Sequence, residues 1–451
     1  MKDIPVALLQ QLQHVNGFDE ISFINAHIQA AITSVRLHPV KQVHTFDKNE
    51  HIPWCAEGRY LIERPVFTLD PAFHAGAYYV QEASSMFLDH MFCNLIPERN
   101  GLRVLDLCAA PGGKSTLIAS LLGSDSLLIS NEVIRARASI LEENMTKWGY
   151  MNNWVTSNDP RDFSKLAGYF DVVVIDAPCS GSGLFRKDEM AIYEWSENNV
   201  QLCSQRQQRI LADVWPSLKE DGIVIYATCS YSEEEDEQIL DWLAGQFKSV
   251  SLSVPIQSEW GIVEVRSQQH GFIGYRFFPH KVKGEGFFIA ALKKLEGTNE
   301  ISYQNSKTQH DKKAYEQSKY LIEITDTVCL KTENENYIAI SQVHERDLQL
   351  ISKSVYLRKT GVKLGMPTAK HWIPDHEVAL SVNKSKELQT LHVNKEQALK
   401  FLKKEDMLVP STGKGWYIVT YEGLGLGLIK SLGNRVNNYL PKHWRIRMEI
   451  N

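Results

Sequence analysis

Short apolar runs rich in β-branched residues alternate with longer amphipathic stretches between residues 102 and 295. "RVLDL" (103–107) precedes "STLIASLL" (115–122), and "LLISNEV" (127–133) precedes "RARASILEENMTKW" (135–148). "NWVTSND" (153–159), "DVVVIDAP" (171–178), the helical "VQLCSQRQQRILADVWPSL" (200–218) and "GIVIYATCS" (222–230) continue the series. Strands that are apolar throughout, alternating with helices, predict an α/β fold with a parallel sheet covered on both faces.

The flanking regions break that rhythm. Residues 1–90 mix apolar-periodic segments with a Pro/Trp stretch, "HIPWCAEGRYLIERPVFTLDP", and predict a small N-terminal α+β domain ahead of a sheet domain over 91–295. "EGTNEISYQNSKTQHDKKAYEQ" (296–317) is polar and reads as a linker. Beyond it, 318–388 is expected to form a small intermediate domain and 389–451 a terminal domain with Gly-rich turns. The "GLGLG" of the latter (423–427) lacks the third glycine of a nucleotide loop and any following helical pattern, so it predicts a glycine-laced strand or turn.

Composition narrows the class. The chain has 451 residues, 43% apolar and 23% charged, as in soluble globular proteins. Its first residues lack a basic region followed by an apolar stretch, and no 18-residue apolar run occurs, so a cytoplasmic, membrane-free protein is expected. Seven cysteines, an odd count with no C-x-x-C pair, argue against a disulfide framework and a structural zinc site, and no metal is expected. The net charge of −5 divides unevenly: residues 301–451 carry 23 Lys+Arg against 16 Asp+Glu, a balance of +7, leaving −12 for the rest. The basic third has the right sign for phosphate contacts, and RNA rather than a membrane is the expected partner of a monomer.

"RVLDLCAAPGGKST" (103–116) is a strand, a small-residue loop and a helix start, an arrangement that brings backbone close to a ligand. A phosphate-binding P-loop would require glycine where Cys108 stands, and a G-x-G-x-x-G fingerprint is absent. S-adenosylmethionine fits better. Its methionyl end can lie along a Gly-rich turn, its ribose diol can be held by Glu132 at the end of the next strand, and its adenine amino group by Asp159 after the one following. Either acid alone would pass as an ordinary polar strand end; both in order favour the cofactor.

Asp176, Pro178 and Cys179 follow the fourth strand, and Cys229 follows the fifth. If these strands are neighbours, both thiols face one crevice, with Cys108 nearby. A lone cysteine at a strand end is ordinarily core. Two beside a cofactor loop suit carbon methylation of a pyrimidine, in which a thiolate added to C6 makes C5 nucleophilic. Asp176 could accept from the exocyclic amine when ionised or donate to N3 when protonated. The base must leave any stack to enter the crevice.

"LCAAPGGKS", "NE" with "EEN" following, "DAPCSGSG" and "ATCSYS", in this order, closely resemble the Nop/Sun family of RNA cytosine-C5 methyltransferases. "RPVFTLDPAFHAGAYYVQEASSM" (64–86) and "GLGLIKSLGNRVNNYLPKHWR" further resemble its bacterial RsmF branch, which modifies small-subunit 16S ribosomal RNA. The resemblance covers nearly the whole chain. It implies a Rossmann-like S-adenosylmethionine-dependent methyltransferase sheet with a C-terminal PUA-like RNA-binding domain. It also implies Cys229 as nucleophile, Cys179 as the residue assisting product release, and cofactor contacts from Cys108, Ala109, Ala110, Pro111, Gly112, Gly113, Lys114, Glu132, Asp159 and Asp176. The partner would be ribosomal RNA or the small subunit. Transfer RNA as substrate, or a catalytically silent assembly factor, are the alternatives. An exocyclic-amine methyltransferase would need no thiol and would carry Asp/Asn-Pro-Pro-aromatic where this chain has Asp-Ala-Pro-Cys.

Two further expectations concern flanking residues. In "TCSYSEEEDEQ", Ser232 and Glu235 have capping-box spacing, so the acids would complement the positive end of the next helix, and that helix end would favour the thiolate of Cys229. Arg186 and Lys187 are either solvated cations or phosphate contacts, and His443 and Trp444 suit stacking and phosphate contact. Tyr78 and Tyr79 could stack a base, but aromatic residues ahead of an amphipathic helix are expected rather to seal a domain interface.

Overall fold

The computed structural model describes residues 4–297, 314, 316, 318–323, 327–331, 336–368, 371–407 and 413–448. The linker expected over 296–317 therefore lies almost entirely outside the described residues. Two helices, Val6–Leu12 and Glu20–Ile28, lead into a four-stranded antiparallel sheet of β1 (Ser34–Leu37), β2 (Glu50–Ile52), β3 (Cys55–Tyr60) and β4 (Tyr78–Val80), in the order β2-β3-β1-β4. The boundary expected after residue 90 falls inside a helix, Phe87–Leu95, whose Phe87, Leu88, Met91 and Phe92 are buried.

The central sheet contains β5 (Arg103–Asp106), β6 (Leu127–Asn131), β7 (Asn153–Thr156), β8 (Phe170–Asp176) and β9 (Leu218–Thr228), all parallel, in the order β7-β6-β5-β8-β9. β10 (Ser249–Leu252), β11 (Val263–Arg266), β12 (Ile273–Phe277) and β13 (Phe287–Lys294) extend it antiparallel, with β13 beside β9. Both faces are apolar, as the uninterrupted runs predict. Val172 and Val174 of β8 join one buried cluster while Val173 and Ile175 join the other. The period of two thus fills two cores, one under each layer of helices.

In the next part of the chain, β14 (Thr327–Lys331), β15 (Tyr337–Ser341), β17 (Val362–Pro367) and β18 (Trp372–Ile373) form a separate sheet. Between them β16 (Leu357–Lys359) leaves it and pairs antiparallel with β7, becoming the edge of the central sheet. Last come β19 (Thr390–His392), β20 (Gly415–Tyr421), β21 (Leu424–Ser431) and β22 (Val436–Asn438), in sequential order. The "GLGLG" segment opens β21, as a glycine-laced strand. Val35, Leu37 and Tyr78 of the N-terminal sheet share one core with Phe401, Val419 and Leu426, so the two ends of the chain pack together. Among the described residues no helix is long and apolar enough to cross a membrane.

Candidate active site

β8 and β9 are hydrogen-bonded neighbours with Asp176 opposite Ala227. That register brings the segments after both strands to one edge. The sulfurs of Cys179 and Cys229 lie 2.9 Å apart, and neither thiol is in a disulfide. The turns that carry them are tied together. Gly183 N–H donates to the Cys229 carbonyl at 2.9 Å, and Tyr231 N–H donates to Ser182 Oγ at 2.9 Å. The Cys179 thiol is pushed well above its ordinary value, first by its hydrogen bond with Cys229 and then by burial.

The loop after β5 lies against the same edge. Gly112, at φ +121°, has the backbone that favours glycine and starts the helix Gly113–Leu121. Polar side chains fix the loop from three sides: Arg137 donates to the Ala110 carbonyl (2.8 Å), Asn144 to the Pro111 carbonyl (2.8 Å), and Asn131 to the Leu107 carbonyl (3.1 Å). Lys114 Nζ reaches Asp176 Oδ2 at 2.7 Å, which joins the loop to the end of β8. Cys108, Ala109, Ala110, Pro111, Gly113, Lys114 and Asp176 line a cavity of 180 Å³. Burial, then Asp106, pushes the Cys108 thiol up.

Glu132 and Asp159 stand at the ends of β6 and β7 on the same edge but do not line that cavity. Glu132 is buried, accepts from Ile134 N–H at 2.9 Å and has Arg137 at 3.5 Å. Asp159 accepts from Arg161 N–H, opening a short helical turn.

The rest of the cavity lining comes from β4 of the N-terminal sheet and the segment after it and was not anticipated as part of the site: Tyr79, Val80, Gln81, Glu82 and Ser85. Tyr78 is buried and Tyr79 stands against Gly113, so both do lie at an interface, and Tyr79 borders the cavity as well. The signal for these residues was the "AYYVQEASSM" string itself. Asp106 is a second omission. It is fully buried, accepts from Ser115 Oγ at 2.6 Å and has no partner for its other oxygen. Burial pushes its carboxyl up to about 7, against the pull of the Ser115 hydrogen bond.

Three flanking expectations change. Glu235 does not close a capping box: Ser232 makes no side-chain cap, and the buried Glu235 accepts instead from Ser180, Ser230 and Gln207. The helix begins later, at Glu237, and Asp236 and Glu237 are buried on Arg276. Arg186 is buried in a two-pronged ion pair with Glu285, both contacts 2.9 Å, and so is not a surface phosphate contact; Lys187 is exposed. Trp444 packs at the core shared by the two chain ends, edge-on to His376 and with Lys147 Nζ 5.3 Å from its ring.

Three family descriptions match consecutive segments: "N-terminal domain of 16S rRNA methyltransferase RsmF" over 4–83, "16S rRNA methyltransferase RsmB/F" over 93–293, and "Methyltransferase RsmF PUA domain" over 388–446. The ribosomal RNA small subunit methyltransferase F of Psychromonas ingrahamii is 31% identical over 87% of this chain and 84% of its own. That of Aliivibrio fischeri is 30% identical over 97% of both chains. Among solved structures, a methyltransferase homolog protein from Pyrococcus horikoshii is similar with a TM-score of 0.52 at 25% identity, covering 65% of this chain and all of the other. NSun6 from the same organism, with SFG, shares the fold at a TM-score of 0.54 and 18% identity over 65% of this chain and 98% of its own. The mixed Rossmann-like sheet, the three matched segments and the extent of the sequence likeness lead to one conclusion: the chain belongs to the RsmF-type Nop/Sun family of ribosomal RNA small subunit methyltransferases.

Proposed function

We propose that this protein transfers a methyl group from S-adenosylmethionine to C5 of a cytosine in small-subunit ribosomal RNA, through a covalent bond between Cys229 and C6. The observation that carries the reading is the thiol pair, 2.9 Å apart just past the ends of adjacent parallel strands, with Lys114 of the 108–114 loop ion-paired to Asp176 at the end of one of them. Methylation of an exocyclic amine has no use for a thiol, still less for two.

The residues present fit the cofactor. A carboxylate ends β8 and others follow β6 and β7, the loop after β5 offers close backbone, and the buried Asp106 has an oxygen without a partner. The backbone of Cys108 to Lys114 would hold the methionyl end, Glu132 the ribose hydroxyls and Asp159 the adenine amine. When bound, S-adenosylmethionine supplies a methyl group on a sulfonium, the electrophile that an activated C5 takes.

Activation is the work of the chain's own side chains. A Cys229 thiolate adds to C6, forming the S–C6 bond and moving the C5–C6 π electrons to C5. Asp176, held by Lys114, holds the Watson–Crick edge of the ring. After methylation a base removes the C5 proton, the double bond re-forms, and the S–C6 electron pair returns to Cys229. Cys179, in contact with that sulfur, assists this elimination. The target nucleotide must be flipped or flexible to enter the crevice, and the C-terminal PUA-like domain supplies RNA affinity.

Bisulfite sequencing of total RNA from cells with and without the gene tests the reading. A small-subunit cytosine that resists conversion only when the gene is present is expected. No gene-dependent cytosine, or one confined to transfer RNA, would overturn it.

A further inference from the structure

Four donors converge on the buried carboxyl group of Glu235. Oε1 accepts from the backbone N–H of Ser180 at 2.8 Å and the side-chain amide of Gln207 at 3.0 Å. Oε2 accepts from the hydroxyls of Ser180 and Ser230, the latter at 2.7 Å. Ser180 follows Cys179 and Ser230 follows Cys229. Tyr226 of β9 fixes the backbone of Glu235 itself, donating to its carbonyl at 2.6 Å. Burial pushes the Glu235 carboxyl above its ordinary value, and the donors from Ser180, Ser230 and Gln207 pull against it. All four contacts donate to the carboxylate, and hydrogen bonds to the charged form favour that form.

We propose that Glu235 is the positioning residue of the thiol pair: one carboxylate joins the turn behind Cys179 to the turn behind Cys229, sets the spacing of their sulfurs and places a negative charge beside Cys179. The proposal rests on the reading of these two cysteines as the reacting pair. The charge has a consequence for the pair. After the hydrogen bond with Cys229 and burial, the charges of Cys229 and Glu235 also push the Cys179 thiol up. Tyr226 of β9 faces Cys179, Cys203, Glu235 and Asp236, and on the helix Glu197–Val214 Arg206 faces Cys203 while Gln207 donates to Glu235. Glu235 thus adds its charge to the Cys229 hydrogen bond and the burial that keep Cys179 a thiol while Cys229 reacts.

The test uses the full-length protein with Glu235→Gln, which preserves the side chain's shape but removes its charge and turns one acceptor into a donor. Alkylation of each cysteine by iodoacetamide at about pH 9, followed by peptide mass spectrometry, needs neither RNA nor cofactor. Below its midpoint Cys179 reacts in proportion to its thiolate fraction, so its alkylation rate is expected to rise about tenfold, the scale of one removed like charge. Methyl transfer is expected to fall by about tenfold to a hundredfold, as for a displaced reacting group. An unchanged Cys179 alkylation rate, or an unchanged rate of transfer, overturns the proposal. Should the Gln variant not fold, the double variant Ser180→Ala, Ser230→Ala removes both hydroxyl struts and keeps the carboxylate. It is expected to slow transfer about tenfold, and a wild-type rate overturns the proposal. Failure of the thiol reading is separate, since it would appear as transfer by Cys229→Ala.

Discussion

Gly183 N–H donates to the Cys229 carbonyl at 2.9 Å, and the Gly183 carbonyl accepts from Gly286 N–H at 3.2 Å. These bonds lay the Cys179 turn against the turn after β9, and they leave no room for a side chain. A Cβ on Gly183 would stand 2.4 Å from the Gly286 carbonyl oxygen and 2.9 Å from that of Cys229. Both are backbone atoms, so the turns themselves must part. Gly183→Ala is expected to cut the initial rate of methyl transfer about tenfold or more, at a stability cost of roughly 1–3 kcal/mol. Cofactor affinity, measured by calorimetry, should stay near wild type because the 108–114 loop is not involved.

Arg186 and Glu285 form a pair whose side chains are each only 3% exposed. Removing one partner strands a buried charge, so Arg186→Ala is expected to destabilise the fold by about 3 kcal/mol or more. Thermal unfolding would show this as a lowered Tm. RNA affinity of the folded protein should change little, and a selective loss of RNA binding at unchanged Tm would restore the phosphate-contact reading.

Asp106 carries a pH dependence of defined sign. Its folded carboxyl titrates near 7, against about 3.9 in an unfolded chain. Between those values the folded protein retains a proton that the unfolded chain has lost. Stability from this group is therefore full below about pH 4 and falls as pH rises to about 7, with a slope of at most about 1.4 kcal/mol per pH unit. Asp106→Asn lacks that titration. The stability difference, Asn variant minus wild type, should grow from about pH 4 to 7 and then level off in denaturant unfolding; a difference independent of pH would contradict it.

Much of the catalytic sheet was legible because β5 to β9 are apolar on both faces and end in polar, small or thiol-bearing residues. That Cys179 and Cys229 meet depends on β8 and β9 being neighbours, which the sequence left as a condition and the sheet order supplies. What could not be read is tertiary. β16 is three residues long, too short for a period, yet it closes the sheet about 200 residues along the chain from β7, where Tyr356 N–H meets the Asn158 side chain at 2.8 Å. Arg186 beside Lys187 has the look of a surface cation because its partner Glu285 is 99 residues away. The spacing of Ser232 and Glu235 satisfied a local capping rule, but three longer-range donors from Ser180 and Gln207 claim that carboxylate. Local rules lose where a buried acid has a stronger set of partners.

The division of labour between the two thiols is tested most directly by trapping. Single variants Cys179→Ala and Cys229→Ala are incubated with small-subunit ribosomal RNA and S-adenosylmethionine, then denatured and resolved by mass. Cys179→Ala is expected to accumulate a denaturation-resistant RNA–protein adduct through Cys229, because addition and methylation proceed while elimination is slowed. Cys229→Ala is expected to form no adduct and to transfer no methyl group. An adduct formed by Cys229→Ala instead, or methyl transfer retained in that variant, would contradict the account.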